Sequence, residues 1–185
     1  MVSAPAEAEA WRVAGGVPDP ELPMVTVAEL GMVRGVACDA AGGVVVRLAP
    51  TYAGCPAVAE IRADVTAALQ GAGFARVEVV TVWSPPWSSA WITAAGRRKL
   101  ADAGIAPPGP APAGAAGPAG AVGSAGAVGS VGPVPLTLGA TRRAVPCPRC
   151  GSRETEESSR CGATLCTALW RCRSCREPFE HLREV

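Results

Sequence analysis

Scarcity narrows the chemistry of this 185-residue chain first. It holds one histidine, one tyrosine and two phenylalanines. With His181 as the only imidazole, far from the upstream cysteines, a cysteine–histidine nucleophile pair is a poor reading. The inward Glu-x-x-His pairs of a di-iron carboxylate oxygenase cannot be assembled at all. No G-x-G-x-x-G follows a strand-like run, so the flavin and dinucleotide loops of a reductase are missing too. The opening MVSAPAEAEAW lacks the basic region and apolar core of a signal peptide. A membrane span is not expected either. No charge occurs between Asp102 and Arg142, but the prolines from Pro107 to Pro135 and the frequent glycines leave no helix-competent run of about 18 strongly apolar residues.

Cysteine is plentiful, with eight in all. Cys147-Pro-Arg-Cys150 and Cys172-Arg-Ser-Cys175 form two C-x2-C knuckles separated by 21 residues. Two residues between paired cysteines let both thiolates face one centre, and two knuckles supply the four sulfurs of a closed tetrahedral Zn2+ site. Closed coordination implies a structural metal. Rubredoxin-type iron is the nearest rival, but the second knuckle lacks the glycine that follows the first at Gly151. Cys161 and Cys166 are left over, and the five residues before Cys172 break the spacing of a plant-type iron-sulfur cluster. So many clustered thiols, without a secretory leader, lead us to expect a reducing, cytoplasmic compartment.

The composition divides the chain into a unit at 1–105, a Gly/Ala/Pro-rich linker at 106–141 expected to be disordered, and a ribbon at 142–185. A flexible linker of about 30 residues has a root-mean-square span of roughly 30 Å. The net charge of +1 hides an asymmetry. Residues 1–141 carry 8 basic and 10 acidic side chains, whereas 142–185 carry 9 and 6. Glu154, Glu156, Glu157, Glu177 and Glu180 interrupt the arginines of the tail, which weighs against a nucleic-acid stripe. The tail's few apolar residues, Leu165, Leu169, Trp170, Phe179 and Leu182, are too few for an independent core, so metal must supply its stability.

The first unit reads as α+β: a β-hairpin, a helix, a strand and a helix. Thr26-Val-Ala-Glu29 fits a capping box that Gly31 ends. Residues 33–38 and 44–49 are hairpin strands, with Val44, Val46 and Leu48 on one face. Val58, Ile61, Val65, Ala68 and Leu69 follow helical spacing over 56–71, and Val77, Val79 and Thr81 alternate as a strand. A last helix at 93–103, with Arg97, Arg98 and Lys99 outward, is expected to cover a sheet end. Trp83, Trp87 and Trp91 suggest a partly exposed aromatic surface.

Between strand and helix stands Pro50-Thr-Tyr-Ala-Gly-Cys55-Pro56. Pro56 suits a first helical position, which makes Cys55 the expected cap, with its thiolate favoured by the helix dipole. Cys55 is the candidate functional thiol, a ligand for a soft metal or cluster rather than a nucleophile, since no histidine stands near it in the sequence; the competing reading is a buried small hydrophobe. For Asp19 and Glu21 the competing reading is turn chemistry.

Three ordered motifs, Asp19-Pro-Glu-Leu-Pro23, Glu29-Leu-Gly-Met-Val33 and the Cys55 loop, resemble the SufT-like family of iron-sulfur assembly factors over residues 10–105. With Ser84-Pro-Pro-Trp87, Gly96-Arg-Arg-Lys-Leu100 and the cysteine tail, the whole chain is similar to the D-subunit family of bacterial phenylacetyl-CoA ring epoxidases. That resemblance implies a non-catalytic accessory role in aerobic phenylacetate catabolism, assisting cluster assembly of the iron-sulfur reductase. Implied partners are the epoxidase components and the iron-sulfur assembly machinery; implied cofactors are structural Zn2+ and a transiently held iron-sulfur cluster. Asp19, Glu21 and Cys166 would then be accessory ligands, Cys166 matching a family cysteine. The family usually has aspartate where Glu29 stands. A zinc-ribbon module that binds nucleic acid or protein without a cluster role is the alternative.

Overall fold

A computed structural model of the chain describes residues 4–39, 41–109 and 145–184. Helix α1 (Ala4–Gly15) leads. Its buried side is made of alanines, with Ala10 and Ala14 fully enclosed, so the hydrophobic periodicity in the sequence is faint although the helix packs closely. Glu7 on α1 accepts the Cys38 amide at 3.2 Å and ties the helix to the hairpin.

Strands β1 (Val33–Cys38) and β2 (Gly43–Leu48) pair antiparallel. Helix α2 (Val58–Gly71) then crosses over to β3 (Arg76–Thr81), which pairs parallel to β2 and completes a three-stranded sheet. Val44, Val46 and Leu48 are buried in the core with Ile61, Val65 and Leu69 of α2. Period two on the strand and period four on the helix thus meet face to face.

The capping box forms reciprocally: Thr26 Oγ1 accepts the Glu29 amide at 3.2 Å, and Glu29 Oε2 accepts the Thr26 amide at 3.0 Å. Gly31 ends the turn at φ 72° with Trp91 packed against it; a Cβ there would lie 2.5 Å from that of Trp91. Helix α3 (Ala94–Asp102), capped by Thr93, docks on this turn rather than on the sheet end, with Lys99 2.7 Å from Glu29. Arg97 is half-buried instead of outward, and donates to the carbonyls of Ser89 and Pro108. The tryptophans part company: Trp83 is exposed, Trp87 is buried with Nε1 donating to the Leu30 carbonyl at 2.9 Å, and Trp91 lies under the Arg34 guanidinium.

The two halves share structure. Strand β4 (Ile105–Ala106) pairs parallel to the last strand of the ribbon, in a sheet of order β4-β7-β6-β5 with β5 (Thr155–Ser159), β6 (Thr167–Cys172) and β7 (Pro178–Leu182). The expected boundary at 105/106 is not met, because Ala106 is a buried residue of the sheet that the ribbon shares. The rest of the expected linker, 110–141, lies outside the described residues. The expectation of separate folding units also meets a joint core: Cys166 and Leu182 of the ribbon belong to the hydrophobic cluster of the first half. A ribbon short of apolar residues gains burial by leaning on its neighbour.

Candidate metal and thiol sites

The four knuckle cysteines converge. Their sulfurs all lie within 4.8 Å of one another, with Cys147 to Cys175 at 3.8 Å and Cys150 to Cys172 at 3.6 Å. A tetrahedron with zinc–sulfur bonds of about 2.3 Å has edges of about 3.8 Å, so these residues fit one Zn2+. Backbone amides support the sulfurs: the Cys175 amide donates to Cys172 Sγ at 3.5 Å, and such donation holds the Cys172 thiol down at about 6. Both knuckles turn through left-handed backbone, at Gly151 (φ 72°) and at Arg176 (φ 65°). The glycine missing from the second knuckle therefore does not change its path, and Arg176 carries the strain instead. When bound, the metal supplies cross-linking of the two knuckles and no open coordination position.

A second group assembles where the two halves meet. Asp19 is buried, and its Oδ1 accepts the Glu21 and Leu22 amides at 2.9 Å each, the turn role weighed against a metal role from sequence. Its carboxyl is pushed up by burial, against those amides and with the Glu60 charge. Glu21 is pushed up by burial and by Asp19. Cys166 Sγ lies 3.9 Å from Glu21 Oε2 and 2.9 Å from Thr164 Oγ1. Burial first, then the charges of Glu21, Asp19 and Cys55, push its thiol up to about 11.

Cys55 is half-buried in the loop after β2, and it departs from the expected cap. Residues 55–57 form a turn closed by the Val58 amide on the Cys55 carbonyl at 3.4 Å; Ala57 is the cap and α2 starts at Val58. The thiol pKa is raised, not lowered. Burial dominates, and Glu21 and Asp19 add to it against hydrogen bonds from the Ala57 amide and Thr51. Helix-terminal stabilisation of thiolate loses to two carboxylates and desolvation.

Sequence reasoning missed Thr51 and Tyr52, which stand in the same loop motif. The Tyr52 hydroxyl is buried without a hydrogen-bond partner among the described residues, and Cys55, Glu21 and Cys166 all act on it. Asp19 and Glu21 share one turn and Cys166 reaches Glu21 at 3.9 Å, whereas Cys55 feels the charges of both carboxylates; among the described residues only the four knuckle cysteines bring three or more ligand atoms within 4.8 Å of one another. Cys38 sits by Glu7, and Cys161 is exposed beside Ser159; neither joins this group or the knuckles. On the ribbon surface Arg173 pairs with Glu156 and Arg149 with Glu177, as the interleaved charges suggest. No helix among the described residues is long and apolar enough to cross a membrane.

Known proteins resemble both halves. Residues 7–82 match the profile of the family described as iron-sulfur cluster assembly protein, and residues 132–183 that of the PaaD zinc beta ribbon domain. Over 182 residues the chain is 35% identical to the putative D-subunit of the 1,2-phenylacetyl-CoA epoxidase of Escherichia coli (strain K12), covering 98% of this chain and 95% of that one. A solved structure, a domain of unknown function DUF59 from Bacillus anthracis, is 31% identical with a TM-score of 0.49, covering 52% of this chain and 92% of that chain.

Proposed function

The chain belongs to the D-subunit family of 1,2-phenylacetyl-CoA epoxidases, an iron-sulfur assembly domain followed by a zinc ribbon, and from that premise we propose that it is a cytoplasmic maturation factor of the epoxidase system. It helps iron or an iron-sulfur cluster reach the reductase component and itself oxidises nothing. Cys55 is the working thiol, and the ribbon holds it in a docked geometry. The observation that supports this reading is a half-buried thiol in the loop before α2 of the iron-sulfur assembly domain, kept protonated by burial and by the charges of Glu21 and Asp19. A thiol kept protonated there becomes a ligand when an incoming cation takes the place of its proton. Iron and cluster are cargo in this scheme, whereas zinc stays in the ribbon.

The test is loading of the metal-free reductase with ferrous iron and sulfide, without oxygen, in the presence of this protein. The wild type is expected to speed recovery of the reductase's visible absorption. A Cys55→Ala variant that keeps its zinc is expected to give no acceleration. Full acceleration by that variant would remove Cys55 from the scheme.

A further inference from the structure

We infer that the ribbon is a clamp on the first half and that zinc is its latch. With the four knuckle sulfurs on the metal, the β6–β7 hairpin grips segment 105–109 and plugs Leu182 and Cys166 into the first core. Loss of zinc opens that grip while the first half stays folded, whatever the role of Cys55.

The hairpin carries metal ligands at one end and docking residues at the other. Cys172 closes β6 and Cys175 stands in the turn before β7, whereas Thr167 at the start of β6 pairs with Leu182 at the end of β7. At that open end Cys166 and Leu182 belong to the core of the first half. Cys166 Sγ lies 3.9 Å from Glu21 Oε2, and the Arg183 amide donates to the Cys166 carbonyl at 2.9 Å.

Segment 105–109 is held from both sides. Ile105 belongs to the core of the first half, and Ala106 to the ribbon cluster that contains the knuckle residues Cys147 and Cys172. Neighbouring residues of one strand thus sit in two cores. From the first half, Arg97 of α3 donates to the Pro108 carbonyl. From the ribbon, β7 pairs with β4, His181 Nδ1 lies 3.0 Å from the Ala106 carbonyl oxygen, and Glu184 Oε1 accepts the Gly109 amide at 3.1 Å.

The two grips differ in what sustains them. The first half keeps its own apolar core, so its hold on Ile105 and Pro108 does not need the metal. The ribbon cluster is small and includes two of the metal ligands, too little to keep β6 paired with β7 once the knuckles are no longer cross-linked. Because β7 carries both Leu182 and the pairing to β4, its melting releases plug and segment together.

The test compares the full chain with zinc, after stripping by a chelator under reducing conditions, and after zinc is returned. Alkylation of each cysteine is read by mass spectrometry beside amide exchange, with exposed Cys161 as the internal standard. In the zinc-loaded chain buried Cys166 is expected to react at least about tenfold more slowly than Cys161. Stripping is expected to bring the two within about threefold of each other and to speed exchange in β4 at least about tenfold, with β1 to β3 unchanged. Returned zinc is expected to restore both. A chain with Cys150→Ser and Cys175→Ser, both exposed knuckle positions, is expected to match the stripped protein and so to separate loss of metal from any effect of the chelator. A slow Cys166 and a protected β4 without zinc, in either protein, would overturn the latch by showing that docking holds alone. Exchange rising equally in β1 to β3 would overturn it as well, since the halves would then be one cooperative unit, and so would a Cys166 that stays fast after zinc returns.

Discussion

Replacing Leu182 by alanine tests whether the ribbon and the first half are energetically one object. Leu182 lies on the last ribbon strand, yet it is 1% exposed and belongs to the core of the first half. Truncation removes three buried carbons, about 0.8 kcal/mol each, and leaves a cavity, so a loss of about 3 kcal/mol is reasonable within the usual 2–5 kcal/mol range. Two of the knuckle cysteines, Cys147 and Cys172, belong to the other hydrophobic cluster and none belongs to that of Leu182, so zinc is expected to stay. The loss should then fall on docking. Cys166, whose carbonyl accepts the Arg183 amide next to Leu182, would be uncovered about two orders of magnitude more often. Alkylation of Cys166 is expected to accelerate by roughly that factor, and amide exchange in β4 by a similar one, with one zinc per chain retained. Unchanged alkylation and exchange in a variant that has lost stability would show that docking contributes nothing and that the shared core is only proximity.

Further outcomes follow from single residues. In the wild type, a Cys166 thiol at about 11 instead of 9 has about a hundredth of the usual thiolate at neutral pH, partly offset by its higher nucleophilicity. Its alkylation, followed by mass spectrometry, should be at least about tenfold slower than that of an ordinary thiol and should rise about tenfold per pH unit until the pH nears 11; a plateau near pH 8 would contradict the buried acidic setting. Arg176→Gly relieves left-handed strain at φ 65° and is expected to stabilise the ribbon by about 1 kcal/mol, read as slower zinc release to a chelator. Faster release would mean that its side chain matters more than its backbone. Thr26→Ala removes one arm of the capping box and is expected to cost about 1 kcal/mol in urea unfolding, with zinc content unchanged.

Much of the first half was legible because its signals are local. The capping box, the hairpin and α2 each announce themselves within a few residues, through a Thr–Glu pair, a glycine-closed turn and apolar residues four apart. The C-x2-C pairs were legible for the same reason. Helix α1 was not, since Ala10 and Ala14 give a buried face with almost no hydrophobic contrast. Strand β4 is two residues long and acquires its identity only from pairing with Glu180 and His181 far along the chain. The Cys55 loop is legible, but its electrostatics are not: the cap lies two residues later at Ala57, and the thiol is raised by burial and then by Glu21 and Asp19, which no local pattern connects to it. Cys166 illustrates the same limit, for its meaning depends on a docking contact between halves.

The decisive measurement is a metal count on protein purified without oxygen and dialysed against ferrous iron, for the wild type and for Cys55→Ala. One zinc per chain is expected in both, with additional iron bound by the wild type and lost in the variant. One zinc and no iron in the wild type, or equal iron in both proteins, would contradict the assignment of Cys55 as the working thiol.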